Sequence, residues 1–230
     1  MLRAHEDKRC YASDIQREIL LGLTRNSGVQ ESFFLTGGTA LSVFYLHHRQ
    51  SNDLDLFTDQ EADLPELDFV LKTTYRHEYV RIKDSANFLS VLIRDVKVDF
   101  VIDRLSLREE REQYALDAAQ RLRIDTPRNI VSNKLCAVVS RVEPKDYVDL
   151  HALCGALKIG SFDNVLDDAR KKDAIFDDPP TAAYQIEQGL QFLRQHPETL
   201  PRLLVPLDQQ DFTLFYDRLV RWLYDQAAKR

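Results

Sequence analysis

The stretch from Phe33 to Phe57, FFLTGGTALSVFYLHHRQSNDLDLF, constrains this chain more than any other part of its sequence. It predicts a buried strand, a Gly-Gly-Thr turn into a short apolar helix, and a second strand that carries Asp53 and Asp55. Because side chains alternate across a strand, the two aspartates point to one face, and Leu54 and Leu56 point to the other. The sequence therefore predicts two carboxylates that converge on one point.

Two carboxylates held close together repel each other unless a cation lies between them or one of them is protonated. We expect Mg²⁺, with Mn²⁺ as the alternative, because Mg²⁺ prefers oxygen ligands and is usually bound by one or two carboxylates together with substrate phosphates. The turn of Gly37, Gly38 and Thr39 predicts the phosphate site, since a turn without side chains lets backbone N–H groups approach an anion. Metal and phosphate would then share one cleft.

Each of these two motifs is common by itself, but their order and spacing are more specific. The sequence GGTAL followed by RQSNDLDLF resembles the nucleotidyltransferase superfamily with a polymerase-beta-like fold, and within it the AbiEii/AbiGii toxin family. The resemblance implies that Asp53 and Asp55 are catalytic metal ligands. It also implies that Arg49 and Ser51, in the basic segment before this pair, bind the nucleotide. A plain salt bridge is the alternative interpretation of Arg49.

A third carboxylate is predicted on the run from Val96 to Ile102. Apolar residues alternate there with polar ones, so Asp99 points away from the apolar face and Lys97 lies on the same side as Asp99. Enzymes of the superfamily carry a third carboxylate on a neighbouring strand, and KVDFV resembles that motif. The resemblance thus implies that Asp99 is catalytic and a metal ligand, with Asp103 as the alternative.

A later pattern, NKL, SR and KDYVDL, resembles the fourth motif of the AbiEii group. In that motif a lysine and a following aspartate serve the nucleotide site. The resemblance therefore implies that Lys134 is catalytic and binds the nucleotide, and that Asp146 binds the nucleotide. It extends more weakly to Arg141, Lys145 and Asp149. Salt bridges between helices are the alternative interpretation of these residues.

The composition excludes several other classes of protein. The chain has 230 residues, of which 44% are hydrophobic, and a formal charge of −6, which argues against non-specific coating of nucleic acid. Its three cysteines are far apart and form no CxxC pair, which favours reduced thiols in a cytoplasmic protein. No apolar run approaches the roughly 20 residues of a membrane span. We therefore expect a cytoplasmic protein without a membrane segment.

The predicted fold class is α+β. A nucleotidyltransferase-like mixed β-sheet with helices is expected in residues 1–105, where strands are predicted at 33–35, 53–57, 79–82, 88–94 and 96–102. Strand signals stop after about Leu105, so a helical domain is expected in residues 106–230, completing the cleft for nucleotide and acceptor. Its last helix is predicted from Asp211 to Ala228.

The predicted activity is Mg²⁺-dependent transfer of a nucleoside monophosphate from a nucleoside triphosphate to a hydroxyl group of an acceptor. The resemblance implies a toxin that acts on RNA, such as tRNA, or on a protein, and a cognate antitoxin that holds it in check. Two alternatives stay open: a nucleotide-binding regulator without turnover, and an antibiotic-type enzyme that modifies a small molecule. The presence of all three candidate carboxylates favours an enzyme.

Overall fold

A computed structural model describes residues 2–227 of the chain. These residues form two compact units, of which the first spans Arg3–Thr126 and the second begins at Pro127. The first unit holds a mixed β-sheet with helices, and the second is built mainly of helices. The predicted α+β class is therefore confirmed, while the domain limits of 1–105 and 106–230 stay a prediction.

The sheet of the first unit is mixed. Its strands are β1 Phe34–Thr36, β2 Leu54–Thr58, β3 Tyr79–Ser85, β4 Phe88–Ile93, β5 Val96–Ile102, β6 Glu112–Ala115 and β7 Arg121–Ile124. They pair in the order β3-β4-β5-β2-β1-β7-β6. Strand β2 is antiparallel to β1 and parallel to β5, and β1 is parallel to β7. The Gly-Gly-Thr turn therefore follows a central strand.

The register of the sheet brings polar residues of four strands into one row. Asp55 of β2 pairs with Thr36 of β1 on one side and with Asp99 of β5 on the other. Asp99 in turn pairs with Ser90 of β4. The leucines on either side of Asp55 are buried and Asp55 is half-buried, which is the predicted alternation. Neighbouring residues of one register project to the same face of a sheet.

The helices of the first unit are α1 Asp14–Thr24, α2 Ser27–Ser32, α3 Gly37–Thr39 and α4 Leu64–Tyr75, with 3-10 turns at Lys8–Cys10 and Arg76–Glu78. Ser13 caps α1, since its hydroxyl accepts a hydrogen bond from the Gln16 N–H at 3.3 Å. The predicted helix after the turn is present, but from Ala40 to Leu46 it is a π-helix. Pro65 lies in the first turn of α4, where its missing N–H costs nothing.

The helices of the second unit are α5 Pro127–Ser140, α6 Pro144–Ala156, α7 Asp163–Arg170, α8 Pro179–Gln195 and α9 Gln209–Ala227, with 3-10 turns at Ala174–Asp177 and Pro197–Thr199. The hydroxyl of Tyr216 in α9 donates to the carbonyl oxygen of Tyr147 in α6 at 2.7 Å, and both rings are fully buried. The predicted last helix is found, although its predicted end, Ala228, lies outside the described residues.

Strands β6 and β7 were not expected, because the sequence predicted helices after Leu105. That prediction is wrong for the two segments concerned. Strand β6, EQYA, shows no alternation of polar and apolar residues. Strand β7, RLRI, does alternate, but each of the two strands has only four residues, which is a weak signal. Strand β7 is defined by its partner, since Ile124 pairs with Leu35 of β1. No helix in residues 2–227 combines the length and the apolar character required to cross a membrane.

Candidate active site

The Gly-Gly turn lies between a carboxylate and a guanidinium. Gly37 has φ of +66°, and a Cβ atom built on it would lie 2.2 Å from Oδ2 of Asp55. A Cβ atom on Gly38 would lie 2.5 Å from Nη2 of Arg49 and 3.1 Å from Oγ of Ser51. Only glycine therefore fits at both positions, and the backbone of the turn approaches both charges closely.

The third residue of the turn, Thr39, connects it to the segment that carries Asp53. The Thr39 hydroxyl lies 2.9 Å from Oγ of Ser51 and also donates to the carbonyl oxygen of Asp53. The side-chain amide of Gln16 donates to that same carbonyl oxygen at 3.2 Å. Thr39 is fully buried, so its hydroxyl positions the chain around the turn.

Arg49 and Ser51 are both buried, with exposed fractions of 2% and 6%. The Arg49 guanidinium donates to the carbonyl oxygen of Gln50 at 2.7 Å. The backbone N–H of Ser51 donates to the carbonyl oxygen of Cys10 at 2.9 Å, which attaches this segment to the N-terminal part of the unit. The fold thus brings both predicted nucleotide-binding residues against the Gly-Gly turn.

Two of the three predicted carboxylates lie on neighbouring strands of the sheet. Asp55 and Asp99 face each other on parallel strands, whereas Asp53, which was predicted on β2, directly precedes that strand, because β2 begins at Leu54. Asp103 follows the end of β5, where its carboxylate accepts a hydrogen bond from the Leu105 N–H at 3.0 Å. The register therefore brings Asp99, and not Asp103, level with Asp55.

Asp99 is held by two hydrogen bonds. Its Oδ1 accepts from the hydroxyl of Ser90 at 2.5 Å, and its Oδ2 accepts from the ammonium of Lys97 at 2.7 Å. Burial by itself would lower the pKa of Lys97, but the hydrogen bond to Asp99 and the attraction of Asp99, Asp53 and Asp55 raise it above its ordinary value. Lys97 is therefore a cation that neutralises this group of carboxylates.

These residues fit a divalent cation in part. In the described part of the chain, no three side chains of His, Cys, Asp or Glu are arranged as a ready metal centre. The donors are nevertheless of the right kind, since Mg²⁺ is usually held by one or two carboxylates and completed by water and substrate phosphates. Asp53 and Asp55 are the pair that would hold it.

One buried network beneath the turn was not anticipated from the sequence. The carboxylate of Asp125 accepts the Thr36 hydroxyl at 2.6 Å and the Arg111 Nε–H at 3.2 Å. Arg111 lies over the ring of Phe34 at 3.6 Å, and its guanidinium is also 3.5 Å from Asp59. This network holds β1 at the residue before the Gly-Gly turn. The polar sequence around Arg111 gave no signal for it.

In the second unit, Lys134 lies between two carboxylates. Its ammonium is 2.7 Å from Asp146 and 2.6 Å from Asp149, and both aspartates are completely buried. Arg141 is 2.8 Å from the other oxygen of Asp146. Burial opposes ionisation, but Lys134 and Arg141 hold the pKa of Asp146 below its ordinary value. Salt bridges between α5 and α6 are therefore present, while Lys145 is half-buried and the nucleotide-binding roles stay predictions.

Comparisons with known proteins agree with this fold. MenT4, a nucleotidyltransferase toxin from Mycobacterium tuberculosis H37Rv, is similar with a TM-score of 0.52 and 15% identity, covering 92% of this chain and 82% of that one. JHP933 from Helicobacter pylori has a TM-score of 0.47 and 18% identity, covering 98% and 96% of the two chains. ANT(2")-Ia in complex with adenylyl-2"-tobramycin has a TM-score of 0.48 and 16% identity, covering 71% of this chain and 97% of that one. No curated protein sequence matches the chain significantly.

The fold is that of a nucleotidyltransferase, as the likeness to MenT4 shows. Residues 19–228 match the family described as "Nucleotidyl transferase AbiEii toxin, Type IV TA system". The chain therefore belongs to the AbiEii family of nucleotidyltransferases, and the family indicated by the sequence motifs is confirmed.

Proposed function

We propose that this enzyme transfers a nucleoside monophosphate from a nucleoside triphosphate to an acceptor hydroxyl, and that the reaction depends on Mg²⁺, with Mn²⁺ as a substitute. The register of Asp55 with Asp99, beside the Gly-Gly turn, is the observation that carries this proposal. Carboxylates on neighbouring strands bind cations, and the backbone of the turn binds phosphate.

Each residue near the turn has a proposed role. Asp53 and Asp55 bind the cation, which when present stabilises charge on the phosphates and favours deprotonation of the acceptor hydroxyl. The N–H groups of Gly38 and Thr39 bind phosphate oxygens. Asp99 is the third carboxylate that would bind the cation, and it accepts the proton of the hydroxyl. The hydroxyl oxygen bonds to the α-phosphorus, the bond from that phosphorus to the bridging oxygen breaks, and pyrophosphate leaves with the electron pair.

The buried Arg49 places a positive charge beside Gly38, on the side of the turn away from Asp55. We propose that Arg49 and Ser51 hold the turn in the shape that receives the phosphates, so that the nucleotide binds to a prearranged site. Lys134 and Asp146 are proposed to bind the nucleotide on the basis of the motif they share with the family. In this role Lys134 would neutralise charge that develops on pyrophosphate.

Membership of a toxin family supports a proposal about partners. We propose that the acceptor is an RNA such as tRNA, or a protein, and that a cognate antitoxin controls the enzyme. The cytoplasm is the proposed compartment, since none of the three cysteines forms a disulfide, as is usual for proteins there.

The test is a labelling experiment with purified protein, Mg²⁺, each of the four α-labelled ribonucleoside triphosphates, and total RNA or protein extract. Label in RNA or in protein, together with pyrophosphate release, is expected for the wild type and identifies the class of acceptor. The double variant Asp53→Ala/Asp55→Ala is expected to release no pyrophosphate. Equal release by wild type and double variant would refute the proposed metal site.

Single substitutions separate the two candidates for the third carboxylate. Asp99→Asn is expected to lower turnover by about 10²-fold or more, as for the loss of a general base. Asp103→Asn is expected to have little effect, because that carboxylate caps a turn beyond the end of β5. Asp84→Asn, on the edge strand β3 with its side chain 64% exposed, is the matched control. A larger loss of turnover in Asp103→Asn than in Asp99→Asn would assign the role of proton acceptor to Asp103.

A further inference from the structure

Lys97 lies beside the three candidate carboxylates, and neither the motifs nor the proposed reaction assign it a role. It lies on β5 two residues before Asp99, so both side chains project to the same face of the sheet. Its ammonium is 2.7 Å from Oδ2 of Asp99, and the side chain is 41% exposed. Ser90 donates to the other oxygen of Asp99. Both oxygens of the third carboxylate are thus engaged inside the protein.

The position of Lys97 relates it to Asp53 as well. Asp53 directly precedes Leu54, which pairs with Val98 in the parallel ladder, and Val98 directly follows Lys97. A cation at this point reduces the repulsion among Asp53, Asp55 and Asp99, which would otherwise disfavour three ionised carboxylates on one face.

We propose that Lys97 is a built-in counter-ion whose ammonium competes with a divalent cation for Asp99. The inference rests on the proposed function, because it assigns a further positioning residue to that site. In the absence of a metal, the ammonium of Lys97 holds the Asp99 carboxylate on the face of the sheet that it shares with Asp55. Asp99 becomes available to a metal only after the ammonium has left it, and the exposed lysine has room to turn into solvent. Lys97 therefore weakens metal binding and keeps the carboxylates arranged.

The experiment measures Mn²⁺ binding directly, from the electron paramagnetic resonance signal of free Mn²⁺, and needs neither nucleotide nor acceptor. Lys97→Met keeps the length of the side chain and removes its charge. This variant is expected to bind Mn²⁺ about two- to fivefold more tightly than wild type, which is the range of competition that exposed ion pairs exert. Lys97→Arg keeps the charge and is expected to bind as weakly as wild type.

A control variant and a second readout make the result specific. Lys83→Met makes the same change in net charge on the edge strand β3, which is separated from β5 by β4. The Lys83 ammonium lies 5.9 Å from the centre of the Phe88 ring, and the variant is expected to leave Mn²⁺ affinity unchanged. Thermal unfolding gives a second readout. Lys97→Met is expected to melt lower than wild type without metal and to gain more from saturating Mn²⁺, because a ligand that binds only the folded state stabilises it.

The outcomes separate this inference from the proposed function. Asp55→Asn is expected to abolish Mn²⁺ binding with either residue at position 97. If it does so while Lys97→Met binds like wild type, the counter-ion role is refuted and the metal site stands. If Asp55→Asn binds Mn²⁺ normally, the proposed metal site itself is refuted. A weaker affinity for nucleotide in Lys97→Met with unchanged Mn²⁺ affinity would make Lys97 a phosphate contact and overturn the proposal.

Discussion

Replacing Lys134 by methionine tests the charge cluster of the second unit. The substitution leaves a side chain of similar length but removes the cation from between two carboxylates that are 2.7 and 2.6 Å away and completely buried. Removing one partner of a buried ion pair costs about 3–5 kcal/mol, because the remaining charge has lost its compensation. Since whole domains are stable by only about 5–15 kcal/mol, the variant should lose a large part of its stability.

The loss should depend on pH in a definite direction. Because the pKa of Asp146 is lowered in the folded wild type, this carboxylate stabilises the fold at pH values above its unfolded pKa of 3.8. The stabilisation disappears as the pH falls through the pKa of the folded state. Without Lys134 the folded pKa of Asp146 rises, so the variant is penalised at neutral pH and relieved when the carboxyl is protonated. The difference in unfolding free energy between the two proteins should therefore be larger at pH 7 than at pH 4.

Urea unfolding followed by tryptophan fluorescence is a suitable assay. Trp222, the single tryptophan, lies in α9 of the same unit and near Phe162, so its emission reports on this unit. Lys171→Met is the matched control, because Lys171 pairs with Asp168 but is 62% exposed, and such pairs contribute about 1 kcal/mol or less. A loss in Lys134→Met no larger than that of the control, or one that does not change with pH, would refute the reasoning.

Two further predictions concern the turn and the network beneath it. Gly37→Ala should lower nucleotidyl transfer at least about tenfold, because backbone strain of about 1–3 kcal/mol at positive φ adds to the collision with the Asp55 carboxylate. Gly160→Ala is the control, because a Cβ atom at that position meets nothing within 4 Å. Equal label incorporation by the two variants would contradict this. Asp125→Asn should lower the free energy of unfolding by about 3 kcal/mol, since the buried Arg111 loses a charged partner. Urea unfolding followed by circular dichroism measures this difference. An unchanged urea midpoint would show that the ion pair of Arg111 and Asp125 contributes little to stability.

The sequence was informative where local periodicity determines the structure. The alternation in LDLF and KVDFV predicted which side chains share a face of β2 and β5. The burial of β2 alternates accordingly, and that of β5 does so except at Asp99, which is buried as well. The adjacent glycines predicted a turn that admits no side chain, and the positive φ of Gly37 agrees. These features depend on a few consecutive residues, so they can be recognised without knowledge of the fold.

The sequence was uninformative where contacts join distant segments. Arg111 lies in a charged stretch that resembles any solvated loop, yet its side chain is 5% exposed. Strand β7 exists because it pairs with β1, which is far from it in the sequence. For the same reason the sequence left two interpretations of Lys134 open, nucleotide binding and a salt bridge between helices, since a motif does not reveal whether a lysine lies between buried carboxylates. Burial and pairing are properties of the folded chain.

By itself, then, the sequence determined the Gly-Gly turn, the faces of the strands that carry Asp53, Asp55 and Asp99, and the family to which the chain belongs. Only the tertiary structure decided that Asp99 lies opposite Asp55, that Lys97 compensates the carboxylates, and that Asp125 holds the strand before the turn. The physical reason is that side-chain direction follows from backbone geometry over a few residues, whereas strand order and ion pairing depend on which distant segments are buried together.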